Sequence, residues 1–158
     1  MAFALMAVAL ATVGGVRVAR QVRRSNNPLA VGQCTWYAYE RAHENDWSIR
    51  FDHPWGRHAK AWPQRVTNAR LSQTPAVGEI MVLDGWKGND YGHVAYVESV
   101  QDANHWTVSH ANMAVGSEVR HLSGIPICLV DVVRQGKVVA FEGRPDKFSL
   151  IGFLTKSS

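Results

Sequence analysis

One of the two cysteines, Cys34, occupies a position that favours a reactive thiol. It follows Gly32, which allows a tight turn at little steric cost, and it precedes residues 36–42, whose spacing predicts a helix. A cysteine in the first turn of a helix lies beside unpaired N–H groups at the positive end of the helix dipole, and both favour the thiolate. Many cysteines are instead small buried core residues. The glycine, the helix start and a histidine hairpin downstream together favour a nucleophile.

Partners for this thiol are found in a predicted β-hairpin further along the chain. Strands are predicted at 93–100 and 106–113, and a two-residue turn at 102–103 would place His93 opposite Asn112. A slip of two residues would place His93 opposite His110 instead. An imidazole at this position could take the proton of a thiol, and a polar side chain beside it could orient the ring. His110 and Asn112 share one face of the strand, so the pattern leaves both open for the orienting role.

The elements that must position these groups divide into helices followed by strands. Helices are predicted at 36–42 and 56–66, and Pro63 indicates a kink or an early end in the second. Strands are predicted at 77–83, 93–100, 106–113, 128–133, 137–141 and 149–153, with a long polar loop at 84–91. This order predicts an α+β fold in which N-terminal helices pack on an antiparallel β-sheet.

The length of 158 residues fits one domain, preceded by a distinct N-terminal segment. Residues 2–16 are uncharged and mostly apolar, and four arginines follow them before residue 25. A secretion signal would have positive charge before its apolar core, and a membrane-spanning helix would have a longer apolar run. We therefore expect residues 1–24 to be an anchor, a signal-like segment or a helix that assembles with a partner protein, and residues 25–158 to form the catalytic domain.

The net charge of +4 and the pI of about 9.3 favour an anionic partner. The basic residues are scattered arginines rather than a tract, so nucleic acid is not predicted and an anionic polymer such as the bacterial cell wall fits equally well. His105 and His110 are five residues apart and would point to opposite faces of a strand, so no metal site and no cofactor are predicted. Cys128 lies in an apolar run and is predicted to be a buried strand residue, not a disulfide partner of Cys34.

Five segments in order resemble the CHAP family, the cysteine- and histidine-dependent amidohydrolases and peptidases of papain-like architecture. The resemblance covers roughly residues 28–113, and four of its motifs in the right order make it specific. The matching segments are Gly-Gln-Cys-Thr-Trp-Tyr at 32–37, Ala-Lys-Ala-Trp at 59–62, Pro-Ala-Val-Gly-Glu-Ile at 75–80, Gly-His-Val-Ala-Tyr-Val at 92–97 and Val-Ser-His-Ala-Asn at 108–112.

The resemblance implies a catalytic role for several of these residues. Cys34 would be the nucleophile, His93 the general base, and the backbone N–H of Cys34 with the side chain of Gln33 would hold the oxyanion. Family members commonly have a glutamate two positions before the asparagine, where this chain has His110. The resemblance therefore assigns the orienting role to Asn112.

The resemblance also implies the substrate. Family members cut peptidoglycan, so we expect an N-acetylmuramoyl-L-alanine amidase or a peptide endopeptidase that acts outside the cytoplasm. The alternative is a structural or assembly component, such as part of a phage tail or a secretion machine, that binds or locally cuts the wall with little turnover. Trp36, Trp86 and Tyr91 are candidate walls of the substrate groove, although core packing is the more common role for Trp36, Trp55 and Trp62.

Overall fold

The residues that the computed structural model describes, 26–55 and 57–158, form an eight-stranded antiparallel β-sheet with three helical segments. The prediction for residues 1–24 lies outside these described residues. The strands are β1 (Ala69–Ser72), β2 (Ile80–Leu83), β3 (His93–Asp102), β4 (His105–His110), β5 (Ser117–Leu122), β6 (Ile125–Gln135), β7 (Val138–Phe141) and β8 (Lys147–Lys156). The helices are α1 (Cys34–Glu44), a 3-10 turn (Ala59–Ala61) and the four-residue α2 (Trp62–Arg65).

The sheet closes into a barrel. Along the sheet the strand order is β1-β8-β2-β3-β4-β6-β5, and β7 pairs with both β6 and β8. Strands β8, β2, β3, β4, β6 and β7 therefore form a ring, while β1 and β5 attach at its outside. This is the main correction to the predicted architecture, because within the described residues helices contribute one 11-residue segment and two short turns. None of these helices is long and apolar enough to cross a membrane.

Two apolar clusters lie on opposite faces of β2 and β3, because successive side chains of a strand point to opposite sides. The inner cluster fills the barrel and includes Met81, Leu83, Ala95, Val97, Trp106, Val108, Phe141, Phe148 and Phe153. The outer cluster packs α1 and α2 against the barrel and includes Cys34, Ala38, Ala42, Trp62, Ile80, Val82, Val94 and Tyr96. At the start of β3, His93 lies on the same side as Ala95 and Val97 of the inner cluster, and the next residue, Val94, belongs to the outer cluster with Cys34.

All six predicted strands are present, with shifted ends, and two further strands were not predicted. β1 has four residues and β5 is exposed along almost its whole length, so neither carries the apolar alternation that marks a half-buried strand. The predicted helix at 56–66 is shorter than expected. Pro63 lies in the first turn of α2, the helical position that tolerates proline, so the helical segment is divided rather than continuous.

The β3–β4 hairpin keeps the predicted register at its open end. Tyr96 pairs with Ser109, and Val97 pairs with Val108. The turn itself lies one residue later than predicted, at 103–104, and two register shifts along the ladder compensate for this difference. The ladder stops before it reaches His93, so the strands separate where the candidate residues begin.

Candidate active site

Cys34 is the first residue of α1, which begins two residues before the predicted helix at 36–42. The thiol therefore lies in the first turn of the helix, as the sequence predicts. The residue before it, Gln33, has an extended backbone and caps the helix without a side-chain hydrogen bond. Gly32 adopts φ +91°, a left-handed conformation that glycine adopts readily, and this turn directs the chain into the helix. The Cys34 side chain is buried, with 9% of its surface exposed, and both cysteines of the chain are free thiols.

The environment of Cys34 differs from the one that the helix dipole alone predicts. Burial raises the pKa of the thiol, and hydrogen bonds from the backbone N–H groups of Val94, Thr35 and Cys34 lower it by a smaller amount. The expectation of a net lowering was therefore wrong for the free protein. Cys34 and Val94 nevertheless belong to one buried cluster, so the thiol lies near the residue that follows His93 on β3.

His93 is the first residue of β3 and is almost fully buried, with 2% of its surface exposed. Burial lowers the pKa of its imidazole to about 3, with a smaller contribution from the nearby His110. Its Nε2 atom has no hydrogen-bond partner among the described residues. Gly92 supplies the turn before it at φ +75°, and a Cβ there would lie 2.4 Å from the carbonyl oxygen of Leu83. The start of β3 therefore requires glycine at this position.

His110 contacts His93 directly. The two ring centroids are 5.2 Å apart and the rings are nearly perpendicular, at 84°. His110 Nε2 donates a hydrogen bond to the carbonyl oxygen of Val115 at 3.2 Å, and its other face stacks on Phe141. Burial lowers the pKa of His110 to about 4, so the ring is neutral at pH 7. A neutral ring with its proton on Nε2 presents Nδ1 as an acceptor, and Nδ1 has no partner within the described part of the chain.

Asn112 lies beyond the end of β4 and bonds to a different residue. It adopts φ +59°, is exposed, and its Nδ2 donates to Gln33 Oε1 at 2.9 Å. Because the oxygen of Gln33 is occupied in this way, the amide nitrogen of Gln33 is left as a donor beside Cys34. In the structure Asn112 therefore contacts Gln33, the capping residue of α1, whereas His110 contacts the imidazole of His93.

The aromatic side chains divide between core and surface in a way that the sequence predicted only in part. Trp36 and Trp62 are buried, so Trp36 cannot form a groove wall. Trp86 is partly buried and packs edge-on against Phe148. Tyr91, just before the start of β3, is 62% exposed and its ring stacks on His58. Trp55 was predicted to be in the core, but it is 74% exposed.

A set of polar residues behind the site was not predicted from the sequence. Arg41 of α1 forms a paired hydrogen bond with Glu98 of β3, and Glu98 also accepts a hydrogen bond from Ser109 of β4. The sequence does hold a signal for this set, because a carboxylate within a strand predicted to be buried requires a cationic partner. An arginine on a helix that precedes the strand is one candidate for that partner.

Comparison with known proteins agrees with the resemblance. The family model described as "CHAP domain" matches residues 24–112. The chain is 32% identical over 102 residues to "Probable autolysin SsaALP" and 35% identical over 97 residues to "Probable autolysin LDP", both of Staphylococcus aureus. These matches cover 63% and 60% of this chain but 36% and 33% of the relatives. The chain therefore spans about a third of the length of these curated relatives.

A solved structure supports the fold. The crystal structure of Ly7917 aligns with 83% of this chain and 56% of its own at a TM-score of 0.50 and 16% sequence identity. This similarity concerns the fold alone, since the identity is low. The family match covers more than half of the chain and includes Cys34, His93, His110 and Asn112. On this evidence the chain belongs to the CHAP-domain family.

Proposed function

We propose that this chain is a peptidoglycan hydrolase that cleaves an amide bond with Cys34 as nucleophile and His93 as general base. The observation that carries the proposal is the buried cluster that contains both Cys34, the first residue of α1, and Val94, the residue next to His93 on β3. A thiol at the start of a helix and an imidazole at the start of the adjacent strand are the two groups that cysteine-based acyl transfer requires. The autolysin names of the relatives favour peptidoglycan as the substrate.

The reaction begins from neutral groups in this proposal, because burial favours the uncharged forms of both Cys34 and His93. His93 takes the thiol proton as the sulfur attacks the amide carbonyl, so a C–S bond forms and an imidazolium results. The imidazolium then protonates the departing amine, the C–N bond breaks, and water hydrolyses the thioester. Donors for the oxyanion are the Cys34 N–H and the amide nitrogen of Gln33, which the bond from Asn112 helps to orient.

The orienting role on His93 has two candidates. Asn112 is the residue that the family resemblance assigns, by analogy with Cys-His-Asn enzymes. The ring contact favours His110 as the second candidate, because its Nδ1 acceptor and the Nε2 of His93 are both buried and without other partners among the described residues. In the second arrangement Asn112 acts on Gln33 instead, and His93 keeps Nδ1 for the thiol.

The finer features of the proposal follow from the family. We propose a papain-like arrangement in which α1 carries the nucleophile and the sheet carries the base. The scissile bond is the N-acetylmuramoyl-L-alanine amide or a peptide bond of the stem, and one relative is named an N-acetylmuramoyl-L-alanine amidase domain-containing protein of Staphylococcus aureus, 34% identical over 93 residues. We place the activity outside the cytoplasm, where peptidoglycan is found. A phage tail or secretion assembly that carries the domain is the alternative setting.

The test is release of fragments from purified peptidoglycan, with identification by mass spectrometry. We expect the chain to release fragments with a new N-terminal alanine for an amidase, or a new amine within the stem for an endopeptidase. Cys34→Ala should abolish the release while circular dichroism stays unchanged, because the thiol is lost and the volume change is small. Cys128→Ala is the matched control and should keep full activity. Fragment release by Cys34→Ala at the original rate would disprove the nucleophile.

The orienting role is tested by comparing Asn112→Ala with His110→Gln. If Asn112 orients the ring, Asn112→Ala lowers kcat by about 100-fold or more, the range over which general acid–base catalysis contributes, and His110→Gln has the smaller effect. The reverse order assigns the role to His110. The pH dependence of kcat/KM separates the cases further, because loss of the residue that orients His93 shifts the profile of the base, whereas loss of a residue that holds Gln33 lowers kcat with the profile unchanged.

A further inference from the structure

The outer face of β3 and β4 carries a connected polar cluster that contacts α1. Glu98 accepts two parallel hydrogen bonds from Arg41, Nε to Oε1 and Nη2 to Oε2, each at 2.8 Å. The guanidinium of Arg41 also lies over the ring of Tyr96, 5.0 Å from its centroid. Planar two-point bonds between arginine and a carboxylate are stronger and more directional than ordinary hydrogen bonds. The contact therefore fixes both the distance and the orientation of α1 at this point.

The same carboxylate extends the cluster to β4 and back to α1. Ser109 donates to Glu98 Oε1 at 2.5 Å and accepts a hydrogen bond from the Tyr37 hydroxyl at 2.7 Å. Both Tyr37 and Ser109 are buried. Arg41, Glu98, Ser109 and Tyr37, which we call the α1 anchor, thus join the helix to both strands that carry the histidines.

The α1 anchor and the thiol share one face of the helix. Tyr37 and Arg41 follow Cys34 by three and seven residues, the spacing of neighbours on one helical face, and Arg41 lies about 10 Å from Cys34 along the axis. Glu98 is five residues beyond His93 on β3. A rigid helix and a rigid strand therefore connect the anchor to the two reacting groups, and a shift of the anchor moves Cys34 relative to His93.

The charges in the anchor are not explained by stability alone. Burial raises the pKa of Glu98, but the hydrogen bonds from Arg41 and Ser109 outweigh this and hold it below its usual value, so the carboxylate is charged. Removing a half-buried pair in favour of well-packed apolar residues is often neutral or stabilising. An apolar contact, however, would let α1 slide along the sheet, because apolar packing is not directional.

We propose that Arg41 and Glu98 are positioning residues of the hydrolase: through the α1 anchor they hold the Cys34 sulfur at the start of β3, within reach of His93. This inference rests on the proposed function for the assignment of the nucleophile and base. It adds a requirement for catalysis beyond the presence of the nucleophile and the base: α1 must keep one position along β3 and β4. A displacement of about 1 Å between reacting groups is enough to lower a rate about 100-fold.

The test measures the reactivity of Cys34 separately from catalysis. Iodoacetamide labels both thiols, and mass spectrometry of the peptides gives a rate for Cys34 and, as an internal control in the same molecule, a rate for Cys128 on β6. For Glu98→Ala and for Arg41→Lys, which retains the charge but loses the planar fork, we expect kcat to fall 10-fold or more with KM within twofold, and the Cys34 labelling rate to change while that of Cys128 does not.

Graded and matched variants distinguish positioning from a loss of stability. Tyr37→Phe removes one hydrogen bond and Ser109→Ala removes two, and both should have smaller effects than Glu98→Ala, which also removes the paired bond from Arg41. Glu98→Gln keeps the shape of the side chain and should recover part of kcat. Arg65→Ala removes an exposed salt bridge with Asp52, at 3.6 Å, and should change neither kcat nor the Cys34 labelling rate. If Glu98→Gln and Arg41→Lys fold, retain kcat and retain the Cys34 labelling rate, the positioning role is wrong, even where the melting temperature falls.

The labelling experiment also separates this inference from the proposed function. If wild-type protein releases no peptidoglycan fragments, the hydrolase proposal fails, but the Cys34 labelling rate still reports the position of the thiol. A change in that rate on loss of the anchor supports positioning by itself. An unchanged rate in every anchor variant overturns the inference even in a protein that is fully active on peptidoglycan.

Discussion

The polar side chains on the two faces of the β3–β4 pair differ in their hydrogen-bond partners and in their charge. On the inner face, His93 and His110 are buried against the barrel core, and each ring has a nitrogen without a partner among the described residues. On the outer face, Glu98 and Ser109 form hydrogen bonds with the α1 residues Arg41 and Tyr37. Burial without partners favours the neutral form of a side chain, and ion pairing favours the charged form.

The difference has a consequence for the chemistry. Neutral imidazoles retain a lone pair that can accept a proton, so the inner face suits a general base. A charged pair retains its geometry, so the outer face suits a fixed contact with the helix. Position 110, where the family resemblance implies a glutamate, is a histidine in this chain. The half-buried carboxylate of the hairpin, Glu98, instead binds Arg41 of α1.

The largest expected effect concerns the packing that keeps the inner face dry. Phe141 stacks on His110 and is 1% exposed. Phe141→Ala should lower the free energy of unfolding by about 3–5 kcal/mol, because it leaves a cavity in the barrel and admits water to the imidazole. Urea denaturation measures this change. Val133→Ala, at a partly exposed position of β6, is the control and should stay within about 0.5 kcal/mol of wild type; equal losses in the two variants would contradict the assigned core.

The second largest expected effect is a decrease in the free energy of unfolding as the pH falls. Burial keeps the pKa of His110 near 4 and that of His93 near 3 in the folded protein, against about 6.5 when unfolded. The unfolded chain therefore binds more protons below pH 6.5, and the stability present above this pH is lost as the pH falls toward 4. We expect His110→Gln to remove about 2–3 kcal/mol of the decrease between pH 7 and pH 4. A decrease as large in His110→Gln as in wild type would show that His110 does not titrate on unfolding.

A substitution at Gly92 tests whether the close packing of the chain just before β3 positions His93. Its φ is +75°, and a Cβ at this position would lie only 2.4 Å from the Leu83 oxygen, so both the backbone conformation and the available space disfavour a side chain. Gly92→Ala should lower the free energy of unfolding by about 1–3 kcal/mol and reduce kcat, because it displaces His93. Gly136→Ala is the matched control, since Gly136 has φ +65° with open space around it. If both variants lose the same stability and both stay active, the close approach at Gly92 does not position His93.

The net charge illustrates a limit of composition as evidence. Four of the 17 basic residues and none of the 13 acidic residues precede residue 26, so the described part of the chain has no formal net charge. The excess of +4 therefore belongs to residues 17–24, and attraction to an anionic polymer is a property of that segment rather than of the barrel. The prediction of an anionic partner, which used the total charge, therefore applies to that segment and not to the described residues.

Local signals in the sequence were sufficient to locate the two groups that carry the proposed reaction. A glycine turn before an apolar helical pattern indicates that Cys34 lies in the first turn of α1, and apolar runs between turn residues indicate that β3 starts at His93. These features depend on neighbours within a few residues, so the sequence alone determined them.

Only the tertiary structure decided the features that depend on distant residues. Burial of Cys34 among α1, β2 and β3 raises its pKa, although the helix start alone favours the thiolate. Phe141, which closes the barrel on β7, determines the surroundings of His110, and Gln33 binds Asn112 across 79 positions. Desolvation and pairing are sums over every group that packs nearby, and no local pattern of residues contains that sum.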